Sequence, residues 1–211
     1  MKQFAQTTDC YDRTAEQYAQ AFQNELNYKP LDRLMLERFF HENQHTGTVL
    51  DVGCGVGQTT HYLYQLGIKD IIGIDLSPQM TEIAGRLNPH LKFKIGNMLK
   101  MNFLSQSIGG VLSFYSIIHL DYDEVGIAFE EIYRVLKPSG QFLCAFHIGE
   151  GKLSVTDFLD TKVELDFYFF NVDTMLAIAE KTGFKVLETL VRYPYKDKEY
   201  PSKRAYILLE K

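Results

Sequence analysis

The sequence predicts an α/β protein: a mostly parallel seven-stranded sheet, helices on both faces and a C-terminal antiparallel hairpin. Three observations predict it. Val49-Leu50-Asp51-Val52 runs directly into Gly53-Cys54-Gly55-Val56-Gly57 and then into a helical pattern, the strand–turn–helix order around which open α/β sheets form binding crevices. Short apolar strands then alternate with amphipathic helices as far as residue 146, a rhythm that implies parallel pairing with right-handed crossovers. The last two strands follow each other with no helix between them, so they pair as an antiparallel hairpin.

The elements follow in order. From about Asp9 to Leu26, Tyr11, Ala15, Tyr18, Phe22 and Leu26 fall at helical spacing, with Asp9 or Asp12 near the start. Pro30 opens a second helix that buries Leu31, Leu34, Met35 and Phe39. The first strand is about 48–52, and its helix runs to about 66 with Tyr62, Leu63 and Leu66 inside. A second strand, about 70–75, ends in Asp75. Ser77-Pro78 supplies an N-cap and a proline at the first position of a helix reaching about Arg86. The third strand is Leu91 to Ile95 and the fourth Gly109 to about Tyr115. A helix from about Asp123 carries Val125, Phe129, Ile132, Val135 and Leu136 on one side. Pro138-Ser139-Gly140 ends it before a fifth strand, Gln141 to Phe146. A polar stretch with an aromatic cluster follows, containing Phe158 and Phe167-Tyr168-Phe169-Phe170. The helix from about Asp173 to Lys181 is closed by Gly183. Strands at about 184–192 and 204–210 complete the chain.

Composition fits one domain over 1–211, with residues 1–45 as a helical lid and 147–183 as a cap over the sheet edge. Hydrophobic residues make up 45% of 211, enough for a sizeable core. No apolar run approaches the roughly 20 residues that span a bilayer, and Met1–Thr7 lacks the apolar segment of a signal peptide. Cys10, Cys54 and Cys144 are odd in number and far apart, which implies neither a disulfide framework nor a zinc cluster. A cytoplasmic location without a metal site is expected. The net charge of -5 argues against a broad nucleic-acid surface.

The glycine loop and Asp75 define the ligand class. Gly53, Gly55 and Gly57 remove Cβ atoms that would hold a ligand off the main chain. A carboxylate at the tip of the neighbouring strand suits the vicinal hydroxyls of a ribose. The dinucleotide fingerprint G-x-G-x-x-G places its third glycine where this chain has Gln58. Asp51, just before the loop, would repel a pyrophosphate and suits a ligand with an ammonium group and a positive sulfur.

At these residues the chain resembles the class I S-adenosylmethionine (SAM)-dependent methyltransferases, whose first motif reads like Asp51-Val52-Gly53-Cys54-Gly55-Val56-Gly57. The resemblance covers about residues 9 to 146 by motif and the rest by topology. It implies a Rossmann-like sandwich, SAM as methyl donor, S-adenosylhomocysteine (SAH) as product, and a small-molecule acceptor with an O, N, S or C nucleophile. The strand around Phe114-Tyr115-Ser116 resembles that of ubiquinone- and menaquinone-biosynthesis enzymes, where it borders the methionine part of SAM. The family's acid at the start of this strand is replaced by Gly109-Gly110. No Asn/Asp-Pro-Pro-Tyr/Phe motif stands at Phe114–Ser116, which weighs against amino-methylation of nucleic acid.

The remaining candidates each carry two readings. Tyr11 and Tyr18 lie in a run that looks like the family's lid, where tyrosines reach the carboxylate end of SAM or close over substrate; otherwise they pack a helix. Asn97 occupies the place of an acid that accepts from the adenine amino group, or it is a turn asparagine. Met98, Leu76 and Met80 cover adenine or pack the neighbouring helix. Tyr115, His119 and His147 are the catalytic candidates, the histidines because imidazole titrates near neutrality. Asp121 and Asp123 are read as helix caps rather than metal ligands. Arg192 and Arg204 belong to a solvated hairpin or clamp an anionic group. The expected acceptor pocket, between lid and cap, is lined by Tyr11, Tyr18, Tyr115, His147, Tyr168, Phe169 and Arg192. The rival readings are a non-catalytic SAM-binding module, an NAD-dependent oxidoreductase and a nucleic-acid methyltransferase.

Overall fold

The computed structural model describes residues 2–211. In chain order its strands are β1 (Val49–Val52), β2 (Ile71–Asp75), β3 (Lys92–Ile95), β4 (Ile108–Phe114), β5 (Leu136–His147), β6 (Lys152–Val155), β7 (Leu165–Tyr168), β8 (Lys185–Arg192) and β9 (Arg204–Glu210). The helices are α1 (Lys2–Phe22), α2 (Pro30–Asn43), α3 (Gln58–Leu66), α4 (Pro78–Leu87), α5 (Tyr122–Val135) and α6 (Val172–Thr182). Seven strands form one sheet in the order β3-β2-β1-β4-β5-β9-β8. All neighbours are parallel except β9, which is antiparallel to both β5 and β8. The chain builds outward from β1 to β3 and then returns to lay β4 on the other side of β1. The strand order therefore reverses between β1 and β4, the place where open sheets leave a crevice beyond their carboxyl ends.

The central strands are buried on both faces, and successive side chains divide between two cores. Val111, Phe142 and Ile207 pack with Phe129 and Ile132 of α5 and Met175 of α6. Their neighbours Leu112, Leu143 and Leu208 pack with Leu36 and Phe39 of α2 and Leu63 of α3. Phe129 and Phe39 are fully buried, so truncating either to alanine costs about 3–5 kcal/mol.

Several boundaries differ from the sequence reading. Helix α1 starts at Lys2, so Asp9 and Asp12 lie within it rather than at its start, and Leu26 falls in a separate 3₁₀ turn, Glu25–Tyr28. Asp12 instead reaches across: its Oδ1 accepts from Ser77 Oγ (2.5 Å) and Gln79 N (3.1 Å), tying the lid to the start of α4. Ser77 also caps α4 by accepting from Met80 N, as Ser77-Pro78 implied. Asp121, not Asp123, is the N-cap of α5, in a capping box with Glu124.

Pro138-Ser139-Gly140 does not separate helix from strand. Strand β5 begins at Leu136 directly after α5, and the triplet sits inside it where the β4 register shifts. Lys211 O takes the Ser139 N–H, so this strand end is held from outside its parallel ladder. The stretch read as a polar cap contains a hairpin, β6 paired with β7. No helix among the described residues is long and apolar enough to cross a membrane, and no His, Cys, Asp or Glu cluster among them could hold a metal ion.

Candidate functional site

The loop between β1 and α3 is pinned by main-chain bonds: Gly53 N and Cys54 N both donate to Ile74 O, at 2.7 and 3.1 Å. Its three glycines have positive φ but do different work. A Cβ on Gly53 would stand 2.2 Å from Ser116 Cβ, and one on Gly57 2.7 Å from the Phe93 ring. At both places the missing Cβ makes room for packing; Gly53 still borders the cavity described below, whereas Gly57 does not, which corrects the expectation for Gly57. Gly55 alone has room, with the Tyr18 ring 3.6 Å from its virtual Cβ. Gly55 borders the cavity described below.

Asp75, at the tip of β2, holds this loop in place. Its Oδ2 accepts from Gly55 N (2.8 Å) and its Oδ1 from Ser77 N (2.9 Å). Each oxygen keeps a further lone pair for a donor from the cavity. Burial raises the carboxyl above its usual range, opposed by the N–H groups of Ser77 and Gly55.

Asp51 does not reach that cavity. It is 1% exposed and sits behind the loop, where its Oδ2 accepts from the hydroxyls of Thr59 and Thr60 at 2.6 Å each. Burial pushes its carboxyl up to about 6. The expectation that Asp51 meets a ligand's ammonium is therefore corrected: the side chain braces β1 against the first turn of α3.

Beyond the sheet edge lies a cavity of about 710 Å³, within the 300–1,000 Å³ usual for small-molecule sites. One end is bordered by Gly53, Cys54, Gly55, Asp75, Leu76, Met80, Asn97 and Met98. Met80 is 1% exposed and packs mainly with Ala15, Ala19 and Ile83 of the lid and α4. Asn97 Oδ1 accepts from Leu99 N at 2.9 Å. That bond makes it a turn asparagine and leaves its amide N–H₂ as the group to offer a purine.

The other end is bordered by Phe114, Tyr115, His119 and His147, under a roof formed by α1 and the β6–β7 hairpin. Tyr11 Oη and His119 Nε2 are 2.7 Å apart, and His119 Nδ1 lies 2.8 Å from Asp166 O. A carbonyl only accepts, so Nδ1 carries the proton and Nε2 receives the Tyr11 hydroxyl. Burial pushes the His119 imidazole down to about 4. His147 is pushed down to about 3, by burial and then by Arg204, and its Nδ1 lies 2.8 Å from Ser202 Oγ. Tyr18 packs against Phe22 with ring centroids 4.6 Å apart and planes tilted by 52°.

Tyr115 directs its hydroxyl away from this space. The Oη lies 2.7 Å from Tyr206 Oη and 3.1 Å from Asp32 Oδ1, in a buried cluster behind the wall. A backbone φ of +59°, secured by Tyr115 N donating to Ala145 O, makes this possible. The expected catalytic hydroxyl of Tyr115 is thus committed elsewhere, and only its ring borders the cavity. Arg192 belongs to the same cluster: it is 4% exposed, 2.8 Å from Asp32 and 2.6 Å from Glu199. It is neither solvated nor part of the pocket wall. Despite burial, Arg192, Tyr195 N and Lys29 hold Glu199 down at about 2. Tyr168 is also absent from the wall, whereas Phe167 and Phe169 line it, because neighbouring residues of an extended strand face opposite sides.

Sequence reasoning missed Phe4, Lys29, Leu153, Val155 and Tyr200, which also line the cavity. Leu153 and Val155 alternate with Lys152 and Ser154, a period-2 pattern that would have revealed β6. The Asp32–Arg192–Tyr206 cluster had no comparable signal.

Comparison with known proteins agrees with this geometry. The family described as "Methyltransferase domain" matches residues 50–144. A demethylmenaquinone methyltransferase of Chlorobaculum parvum is 31% identical over 107 residues, 51% of this chain and 42% of that protein. A phosphoethanolamine N-methyltransferase of Caenorhabditis elegans is 31% identical over 164 residues, 75% of this chain. The chain spans less than half the length of both relatives, 37% in the second case. Magnesium protoporphyrin IX methyltransferase from Synechocystis, solved with bound SAM, superposes with a TM-score of 0.76 at 14% identity, covering 100% of this chain and 98% of that one. The glycine loop, the Asp75 anchor, the switch point between β1 and β4 and these matches agree: the chain has the fold of the class I SAM-dependent methyltransferases.

Proposed function

We propose that this chain is an enzyme that transfers a methyl group from SAM to a nucleophile on a small molecule. The observation that carries the reading is the single roofed cavity running from Gly55 and Asp75 to the Tyr11–His119 pair. Its residues fit the cofactor: Gly55 leaves a bare stretch of main chain, Asp75 keeps lone pairs for ribose hydroxyls, and Leu76 and Met98 offer apolar contact to a purine. When bound, SAM supplies an electrophilic methyl group on a positively charged sulfur.

The chain's own task is then positioning, which supplies roughly 7–11 kcal/mol when reactants are held as a near-attack pair. The roof of α1 and the β6–β7 hairpin covers one end of the cavity and limits the access of water. Tyr11 and His119 form a proton path: a proton leaving the acceptor passes to the Tyr11 oxygen as the Tyr11 proton moves to neutral His119 Nε2. The Nδ1–H bond to Asp166 O keeps Nε2 available for this role. The roofed cavity of about 710 Å³ and the net charge of -5 support a small acceptor over a nucleic acid. The two relatives carry the names of unlike acceptors, demethylmenaquinone and phosphoethanolamine, so the acceptor is not taken from them.

The test has two arms. Calorimetry with SAH and with NAD should give binding of SAH alone, in keeping with Gln58 where a dinucleotide site has its third glycine. Incubation of a metabolite extract with methyl-labelled SAM should give an enzyme-dependent labelled product, identified by mass. SAH binding with no labelled product from any extract would favour a non-catalytic SAM-binding module.

A further inference from the structure

Three buried cations stand at the acceptor end of the molecule, and two are neutralised. Lys29 pairs with Glu25 at 2.5 Å and Glu199 at 3.4 Å; Arg192 pairs with Asp32 and Glu199. Arg204, the first residue of β9, is 3% exposed yet borders the cavity, and no carboxylate among the described residues lies within ion-pair distance of it. Its partners are the Ser202 carbonyl, Ser202 Oγ (2.7 Å) and Tyr200 O (3.1 Å), with the Tyr115 ring centroid 6.0 Å away. These occupy three of the five N–H donors of a guanidinium, leaving Nε and one Nη2 hydrogen without a protein acceptor.

A buried cation without a counter-charge is costly. Consistent with this, burial lowers the pKa of Arg204 and outweighs the opposing effects of Glu199 and Tyr115 upon it, whereas that of Arg192 is raised by Glu199, Tyr115 and Asp32 against the effect of its burial. Glu199 also borders the cavity and acts on Arg204 from beyond ion-pair distance, but its two oxygens accept from Arg192, and Lys29 and Tyr195 N take up further capacity. Arginine stays charged under all these conditions, and its planar fork matches two oxygens of one oxyanion.

We propose that Arg204 is the specificity-determining corner of the acceptor pocket, so that the methyl acceptor carries an oxyanion group, a carboxylate or a phosphate. The inference rests on the methyltransferase reading and deepens it. His147 is the ladder partner of Arg204 and shares Ser202 Oγ with it, which puts a neutral imidazole beside the same corner. Phe169 and Tyr200, with ring centroids 5.8 Å apart, border the cavity nearby, Phe158, Phe167 and Leu153 add an apolar stretch of wall, and Asp197, Lys198 and Glu199 also line it. The acceptor thus has an apolar body and an anionic end.

The test uses the full chain saturated with SAH and three probes of similar shape: benzoate, phenyl phosphate and benzamide. Benzoate or phenyl phosphate should bind at least about tenfold more tightly than benzamide, and Arg204→Gln should remove that preference while SAH affinity stays within about threefold. The stronger of the two anions identifies the head group. Equal binding of all three probes to the wild type, or a preference surviving in an Arg204→Gln protein that binds SAH, overturns the inference alone. Failure of the wild type to bind SAH overturns the methyltransferase reading and this inference with it. If Arg204→Gln does not fold, Arg204→Lys decides: it keeps the charge but loses the fork, so the preference should shrink yet persist, and an undiminished one overturns the role of Arg204.

Discussion

The Tyr11 hydroxyl donates to His119 Nε2 across 2.7 Å, joining the lid to the 3₁₀ turn Ile117–His119 that follows β4, through residues 108 positions apart. Because His119 Nδ1 is held by Asp166 O, the β6–β7 hairpin takes part as well. One imidazole therefore fastens both roof elements to the sheet and faces the cavity with a defined tautomer.

If this pair carries a proton from the acceptor, Tyr11→Phe should lower kcat by roughly 10²–10⁴-fold, the span of general acid–base catalysis. SAH affinity, measured by calorimetry, should stay within about threefold. An unchanged kcat would show that the pair only closes the roof.

His119 also makes stability depend on pH. Its folded pKa of about 4 lies below the ordinary 6.5, so the unfolded chain binds more protons between these values and stability falls as pH drops through that window. His119→Asn removes this contribution. Its destabilisation should be smaller at pH 5 than at pH 7.5, by roughly 1–2 kcal/mol. Urea midpoints of both proteins at the two pH values check this, and a pH-independent difference would contradict it.

Asp75→Ala should weaken SAH by at least about 1.5–3 kcal/mol, the range for hydrogen bonds to a charged group. The variant should also lose thermal stability without ligand, since Gly55 N and Ser77 N lose their acceptor. Unchanged SAH affinity in a folded variant would remove Asp75 from the nucleoside site.

The glycine loop separates packing from binding. Gly53→Ala should destabilise the protein without ligand, because its Cβ would collide with Ser116. Gly55→Val faces less crowding, though its φ of +53° strains a β-branched residue, and besides that loss of stability it should abolish the stabilisation conferred by SAH in thermal melts. A Gly55→Val protein that retains that stabilisation would refute the approach of the cofactor to this turn.

Tyr115→Phe tests the committed hydroxyl. Removing it leaves Asp32 and Tyr206 one partner short, which costs about 1–3 kcal/mol for buried polar groups. Stability from denaturant unfolding should fall by that amount, while kcat at saturating substrate changes by less than about threefold. A large loss of kcat with stability intact would return the hydroxyl to the reaction centre.

The sequence by itself determined the frame of this protein: the strand–glycine loop–helix unit, Asp75 at the next strand tip, the Ser77-Pro78 and Gly183 caps, and the terminal hairpin. All of these are written within a few neighbouring residues, where backbone conformation and periodicity are decided. Only the tertiary structure gave the three glycines different neighbours, Ser116, Phe93 and Tyr18 from distant segments, and left Gly57 out of the wall that Gly53 and Gly55 border. It likewise turned the Tyr115 hydroxyl toward Asp32, neutralised Arg192 with a carboxylate 160 residues away, and left Arg204 without one. The two arginines look alike in sequence. What separates them is long-range pairing in a low-dielectric interior, where the presence or absence of one carboxylate outweighs any local pattern.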